Sequence, residues 1–274
     1  MNGLLIFIAG LLFFSLLKDR KVKQAVPLKK KKETNKTSGF SLTEMAVSIS
    51  VIAMIMAGVL EGRNLIEDAK ERSIINETSK YKVAVSSFYA KYDKYPGDFD
   101  EAVAFWGAGT NSNGDNNGKM EFKNGSAVYE GYRAWQHLSY AKMIDAVFVG
   151  TQTTSAATLD SDVPKSRSGG GYFFDYSVFN MTEFNALVLG KPVATSATPI
   201  LVQGIFTPSE GFNIDAKADD GVPTTGSIRG QDGNGSTAGT CVNDLTSNGA
   251  TSDDIYKISV SGKDCTLAFK ILVQ

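Results

Sequence analysis

Histidine occurs once, cysteine twice and tryptophan twice in 274 residues, and the formal net charge is −1. A single imidazole, His137, excludes any site that needs two, and zinc hydrolysis loses its usual ligands. A serine nucleophile would have only His137 as its base, and neither a nucleophile elbow nor a phosphate loop appears. Carboxylate pairs exist, as in any acidic protein, without one pair standing out. The expectation is therefore a non-enzyme. Basic residues are also scarce where a nucleic-acid-binding face would need them. Nine of the 28 Lys and Arg lie within residues 18–38, leaving 19 bases against 27 acids from Phe40 onward. An acidic body behind a basic stub lacks the footprint of a nucleic-acid binder, so none is expected as a partner of the head.

What the chain does contain is two apolar runs. Leu4–Leu17 is interrupted only by Ser15. It is short for a spanning helix, which needs about 20 residues. It also lacks the basic start and small-residue cut site of a secretory signal. Phe40–Leu60 is long enough, and holds one acid, Glu44, and no base. The basic cluster before it and the acidic body after it give an N-inside, C-outside orientation across a membrane. A carboxylate inside such a helix carries an insertion cost of about 2.5–3.5 kcal/mol at the bilayer centre and less near an end. Taken alone, Glu44 could simply lie at the interface and reach water.

The cysteines, Cys241 and Cys265, lie near the end of the chain. In a cytosolic protein they would be inert core thiols. Behind a membrane anchor they meet an oxidising compartment, and the expectation becomes a bridge. Closing that loop would stabilise the fold by roughly 3 kcal/mol on chain-entropy grounds.

Between Phe40 and Asp93 there is no proline, and Gly58 and Gly62 are the only glycines. Leu65, Ala69, Ile74, Ile75, Val83, Ala84, Val85 and Phe88 continue an apolar stripe among charges. The pattern predicts one helix over residues 40–93, stopped at Tyr95-Pro96-Gly97-Asp98. A second helix is expected near 126–145, with Val128, Tyr132, Trp135 and Leu138 on its apolar stripe and His137 off it, at the surface. Short β-like runs follow at 172–178, 186–189, 200–206, 255–260 and 265–273. Thr207-Pro208-Ser209-Glu210 carries the signature of a capping box and a helix start, with the helix ending near Asp219-Asp220-Gly221.

Gly39-Phe40-Ser41-Leu42-Thr43-Glu44, after a Lys-rich stub and before a long apolar run, resembles the class III leader of type IV pilins and type II secretion pseudopilins. The resemblance implies cleavage between Gly39 and Phe40 by prepilin peptidase, N-methylation of Phe40, and an assembly role for Glu44. Its carboxylate would neutralise the Phe40 ammonium of a neighbouring subunit and set helix register. Lys94–Asp98 and Tyr132–Leu138 resemble segments of pilin-like proteins as well. The long leader, 39 residues with an extra apolar run, departs from the family. Either it carries an additional helix or translation starts downstream, for example at Val22, Val26 or Leu28.

The layout that follows is α+β, type IV pilin-like: leader 1–39, spine helix 40–93 with a membrane span at 40–60, and a periplasmic or extracellular head at 94–274. The function implied is a filament subunit of a pilus or pseudopilus in the bacterial inner membrane, assembled with other pilins and the assembly platform. The alternative is a membrane-anchored module whose head binds a ligand or glycan. Three polar clusters invite a metal. Asn113, Asp115 and Asn117, with Glu121, partly resemble a calcium loop, though Asn124 stands where a bidentate Glu is expected. Asp215, Asp219 and Asp220 read as a solvated helix end, and Asp232-Gly233-Asn234-Gly235 as a turn. Calcium in the head is implied by resemblance only; no other cofactor is expected.

Overall fold

The computed structural model describes residues 40–107, 113–122, 129–150, 157–179, 181–193, 202–233, 239–243 and 254–272. The leader, residues 1–39, lies outside them, as do Val128, Asn124, Asn234 and Gly235 from the expectations above. The chain divides into two units, Met1–Ile55 and Met56–Gln274.

Helix α1, Leu42–Tyr92, is one continuous helix of 51 residues, as the proline-free stretch predicts. Its apolar early part is exposed throughout: Ile49, Ile52, Met54, Ile55 and Leu60 all face outward. Burial begins only at Glu71 and continues through Ile74, Thr78, Ala84, Val85 and Phe88. Asp93 then takes a left-handed conformation (φ 55°) and ends the helix.

The head is built on an antiparallel sheet. Strands β1 (Gly171–Tyr176), β2 (Asn185–Pro192), β7 (Cys265–Lys270) and β4 (Ile228–Asp232) lie side by side in that order, and β3 (Val202–Gln203) pairs with the end of β2. A second, two-stranded sheet joins β5 (Val242–Asn243) to β6 (Ile255–Tyr256). The first five residues of β1 and of β7 are all buried, so these strands are covered on both faces. That explains why neither strand alternates apolar with polar along its length, the buried polar residues being Asp175 in β1 and Thr266 in β7. Helices α2 (Ala102–Trp106), α3 (Glu130–Tyr140) and α4 (Pro208–Ala218) complete an α+β layout that matches the type IV pilin-like fold.

The core joins α1, α3 and the sheet. Trp135 of α3 is fully buried, its indole N–H donates to the Tyr172 carbonyl at 3.0 Å, and its ring lies 4.5 Å from Phe174 and 4.8 Å from Tyr81 of α1. The Tyr172 hydroxyl donates to Glu77 of α1. At Gly131 an added Cβ would lie 2.4 Å from the Phe174 carbonyl oxygen, so α3 sits on β1 through a glycine. On the other side of α1, Asp68 (2.6 Å) and Glu71 both hold Lys217 of α4.

Four expectations need correction. The second helix is Glu130–Tyr140, shorter at both ends. The run at 255–260 is a strand only at Ile255–Tyr256 and then a turn, and α2, β4 and β5 were not foreseen. Asp215 is buried and not solvated. Most tellingly, His137 is fully buried. Every residue of α3 from Glu130 to Ser139 except Arg133 is buried, so the stripe rule for a half-exposed helix misplaces a residue on a helix enclosed all round. The His137 ring stacks 6.4 Å from Phe88 and lies 5.6 Å from Trp106, and its Nδ1 accepts the Gly97 N–H at 2.9 Å.

Candidate functional site: the processing motif and the acidic loop

Phe40 is exposed, and Gly39 on the other side of the expected cut lies outside the described residues. Glu44 sits three residues after Ser41. Its carboxylate accepts the Ser41 N–H at 2.9 Å, while the Ser41 hydroxyl accepts the Thr43 N–H at 3.2 Å. Ser-x-x-Glu at a helix start is the pattern of a capping box, with the Glu reaching back to the N-cap amide. Two of the orphan amides of the first turn are thereby satisfied, and the Glu charge lies at the positive end of the helix dipole. This local role of Glu44 was legible in Ser41-Leu42-Thr43-Glu44 but was obscured by its place in the leader motif. Behind it the helix is apolar over a length that could cross a membrane, and none of that stretch is buried. A core helix of such composition would be covered; this one presents its apolar side chains outward.

In the head, carboxylates organise one loop. The residues 113–122 have few regular backbone hydrogen bonds, and acids from elsewhere accept their amides. Asp98 takes the N–H groups of Asn117 and Gly118, both at 2.8 Å. Glu130 takes those of Asp115 (3.1 Å) and Glu121 (3.3 Å), Asp175 takes Phe122 (3.0 Å), and the Asn185 side-chain oxygen takes Met120 (2.7 Å). Asp98, Glu130 and Asp175 are all buried. Burial pushes Asp98 up to about 6, and Glu130 and Asp175 up to about 7, against the pull of those amides.

Of the four expected calcium ligands, Asp115, Asn117 and Glu121 come together. The Asn117 side-chain amide donates to Asp115 and to Glu121, each at 3.1 Å. Asn113 turns away and accepts the Val103 N–H of α2 at 2.9 Å. Asp115 instead groups with Asp98 and Glu130, with one carboxylate oxygen from each within 4.8 Å of the others. Neither Asp98 nor Glu130 carries a sequence pattern that marks it as a ligand.

The second acidic group, Asp215, Asp219 and Asp220, also converges. Asp215 accepts the Tyr256 hydroxyl at 2.9 Å and the Gly221 N–H at 3.2 Å, and burial raises it to about 7. Asp219 accepts the N–H of Ser227 and of Ile228, which ties the end of α4 to the start of β4. Cys241 and Cys265 form the expected disulfide. Asp232, paired with Cys265 in the β4–β7 register, accepts the Cys241 N–H at 2.6 Å and so fixes the approach of the first cysteine.

No curated protein and no solved structure matches this chain. Residues 34–60 match the family model of the prokaryotic N-terminal methylation motif. That span runs from the last part of the basic stub to Leu60 and contains Gly39, Phe40 and Glu44. The chain carries a prepilin-type methylation motif followed by an apolar, outward-facing helix, consistent with a class III prepilin leader.

Proposed function

We propose that this chain is a structural subunit of a type IV pilus-like or pseudopilus filament. It is cut by prepilin peptidase between Gly39 and Phe40, N-methylated at Phe40 and held in the inner membrane by the apolar start of α1. It joins other pilins through that helix, drawn out by the assembly platform. The observation that carries the reading is the coincidence of two facts: the methylation motif at 34–60 and a membrane-length apolar stretch of helix, no part of it buried. A helix kept apolar and uncovered needs lipid or other helices around it. The matched motif is one of processing and anchoring, compatible with a chain that catalyses nothing. The α+β head, with the late part of α1 packed on an antiparallel sheet, fits the same reading.

Intact mass and N-terminal sequencing of the protein from the membrane fraction test it. The expected chain begins at methylated Phe40, and a mature chain that retains Lys29–Lys32 would overturn the processing step. In a strain without the peptidase, the same measurement gives the uncut start.

A further inference from the structure

One side of α1 borders an open cleft of about 260 Å³ within the head. Ile75, Thr78, Ser79 and Lys82 line it from the helix, at spacings of three, one and three that place them on one face. The opposite wall is Lys217 and Ala218 at the end of α4, Ser227 and Ile228 at the start of β4, and Phe269 of β7. Phe269, Ile228 and Thr78 are buried and form the floor, while Ser79 and Ala218 are exposed at the mouth. Asp219, bonded to the amides of Ser227 and Ile228, holds the β4 wall to the α4 wall.

The two lysines differ. Lys217 is neutralised by Asp68 and Glu71. Lys82 is half-buried, with its ammonium 5.9 Å from the centre of the Phe269 ring, and among the described residues it makes no hydrogen bond or ion pair. Burial lowers its pKa, and the charge of Asp219 acts the other way. A partly desolvated cation without a contacting anion, beside an aromatic floor and the Ser79 and Ser227 hydroxyls, is an arrangement that a ligand carboxylate completes. The volume lies just below the usual range for small-molecule sites, which suits one ring or a short branched chain. Asp219 sets the charge limit, because a dianion at Lys82 would meet its negative field.

We propose that the cleft between α1 and the α4–β4 junction binds a small monocarboxylate with an apolar body, its carboxylate on Lys82 and its apolar part over Ile228 and Phe269. The cleft lies in the head and shares no residue with the leader motif at 34–60.

The test is fluorine NMR titration of the full chain in detergent micelles with para-fluorobenzoate. Saturable binding is expected in the unsubstituted protein. Lys82→Met keeps the apolar stem and should weaken binding about tenfold, the scale of one charge-assisted contact; Lys82→Arg should retain it. Ser79→Trp, which fills the mouth from an exposed position, should abolish it. Phenyl phosphate, a dianion of similar shape, should bind more weakly than the benzoate. Melting curves check that each variant is folded. Absence of saturable binding to the unsubstituted chain, or equal binding by it and by folded Lys82→Met and Ser79→Trp, would overturn the proposal. Equal or tighter binding of phenyl phosphate would overturn its restriction to monoanions.

Discussion

His137 shows what one buried polar side chain does for the residues around it. Its Nδ1 is the acceptor for the Gly97 N–H, so the ring is neutral at that nitrogen. Gly97 itself has φ +92° and lies so close to Glu130 that an added Cβ would sit 2.4 Å from the carbonyl oxygen. The turn that ends the spine therefore docks on α3 through a glycine and an imidazole together. His137→Phe keeps the ring among Phe88, Phe99 and Trp106 but leaves the Gly97 amide without its acceptor. A loss of about 1–3 kcal/mol is expected in denaturant unfolding, the cost of an unsatisfied buried donor. Unchanged stability would show that the hydrogen bond contributes nothing net. The sequence marked Tyr95-Pro96-Gly97-Asp98 as a stop but not as a docking site. A turn signature reports local backbone preference, whereas the imidazole that meets this turn comes from 40 positions away.

At the level of elements, the legible parts were those with a local cause. The uninterrupted helix α1 and the capping box of α4, where Thr207 and Glu210 exchange bonds at 3.2 and 2.8 Å, follow from their own residues. The strand pairings and the loop at 113–122 do not, because their hydrogen-bond partners are distant in sequence. That loop hangs on Asp98, Glu130 and Asp175, whose folded pKa values of about 6, 7 and 7 exceed the ordinary carboxyl values of 3.8, 4.5 and 3.8. Asp215 is raised to about 7 in the same way. Groups raised on folding bind protons more tightly in the native state. Their contribution is full below the unfolded values and is lost as pH rises through the folded ones. The melting temperature of the full chain in detergent should therefore fall between about pH 4 and pH 7, from the unfolded to the folded values. Glu130→Gln should flatten that fall, since the neutral amide has no charge to bury. A flat profile in the unsubstituted chain would contradict the burial argument. If the loop takes calcium through Asp115 and its neighbours, millimolar calcium should raise the melting temperature at the upper end of this range and do little at the lower, where protons occupy the carboxylates.

For the whole molecule, the decisive question is whether α1 only anchors the chain or also joins it to others, and Glu44 separates the two. The carboxylate already has one use within the subunit, the bond from the Ser41 amide at 2.9 Å. Glu44→Leu would remove that cap and the charge together, so its failure would be ambiguous. Glu44→Gln separates them, because glutamine serves the same position of a capping box without a charge. On the filament proposal, Phe40 presents an ammonium after processing, and the carboxylate of a neighbouring subunit neutralises it among apolar helices. Leaving one partner of a fully buried ion pair unmatched costs about 3–5 kcal/mol, and less where water reaches it. That cost recurs at every subunit contact along a filament. On the anchor reading, removal of a charge from an apolar helix leaves insertion equal or easier, and nothing else changes. The expected outcome is that Glu44→Gln is cut at Phe40, accumulates in the membrane at normal levels and is missing from filaments. Glu44→Asp, which keeps the charge at shorter reach, should be intermediate. Co-purification with partner pilins, scored beside imaging of surface fibres, gives the measurement. Normal incorporation of Glu44→Gln would defeat the ion-pair account of assembly and leave a membrane-anchored ligand-binding module as the better description of the chain.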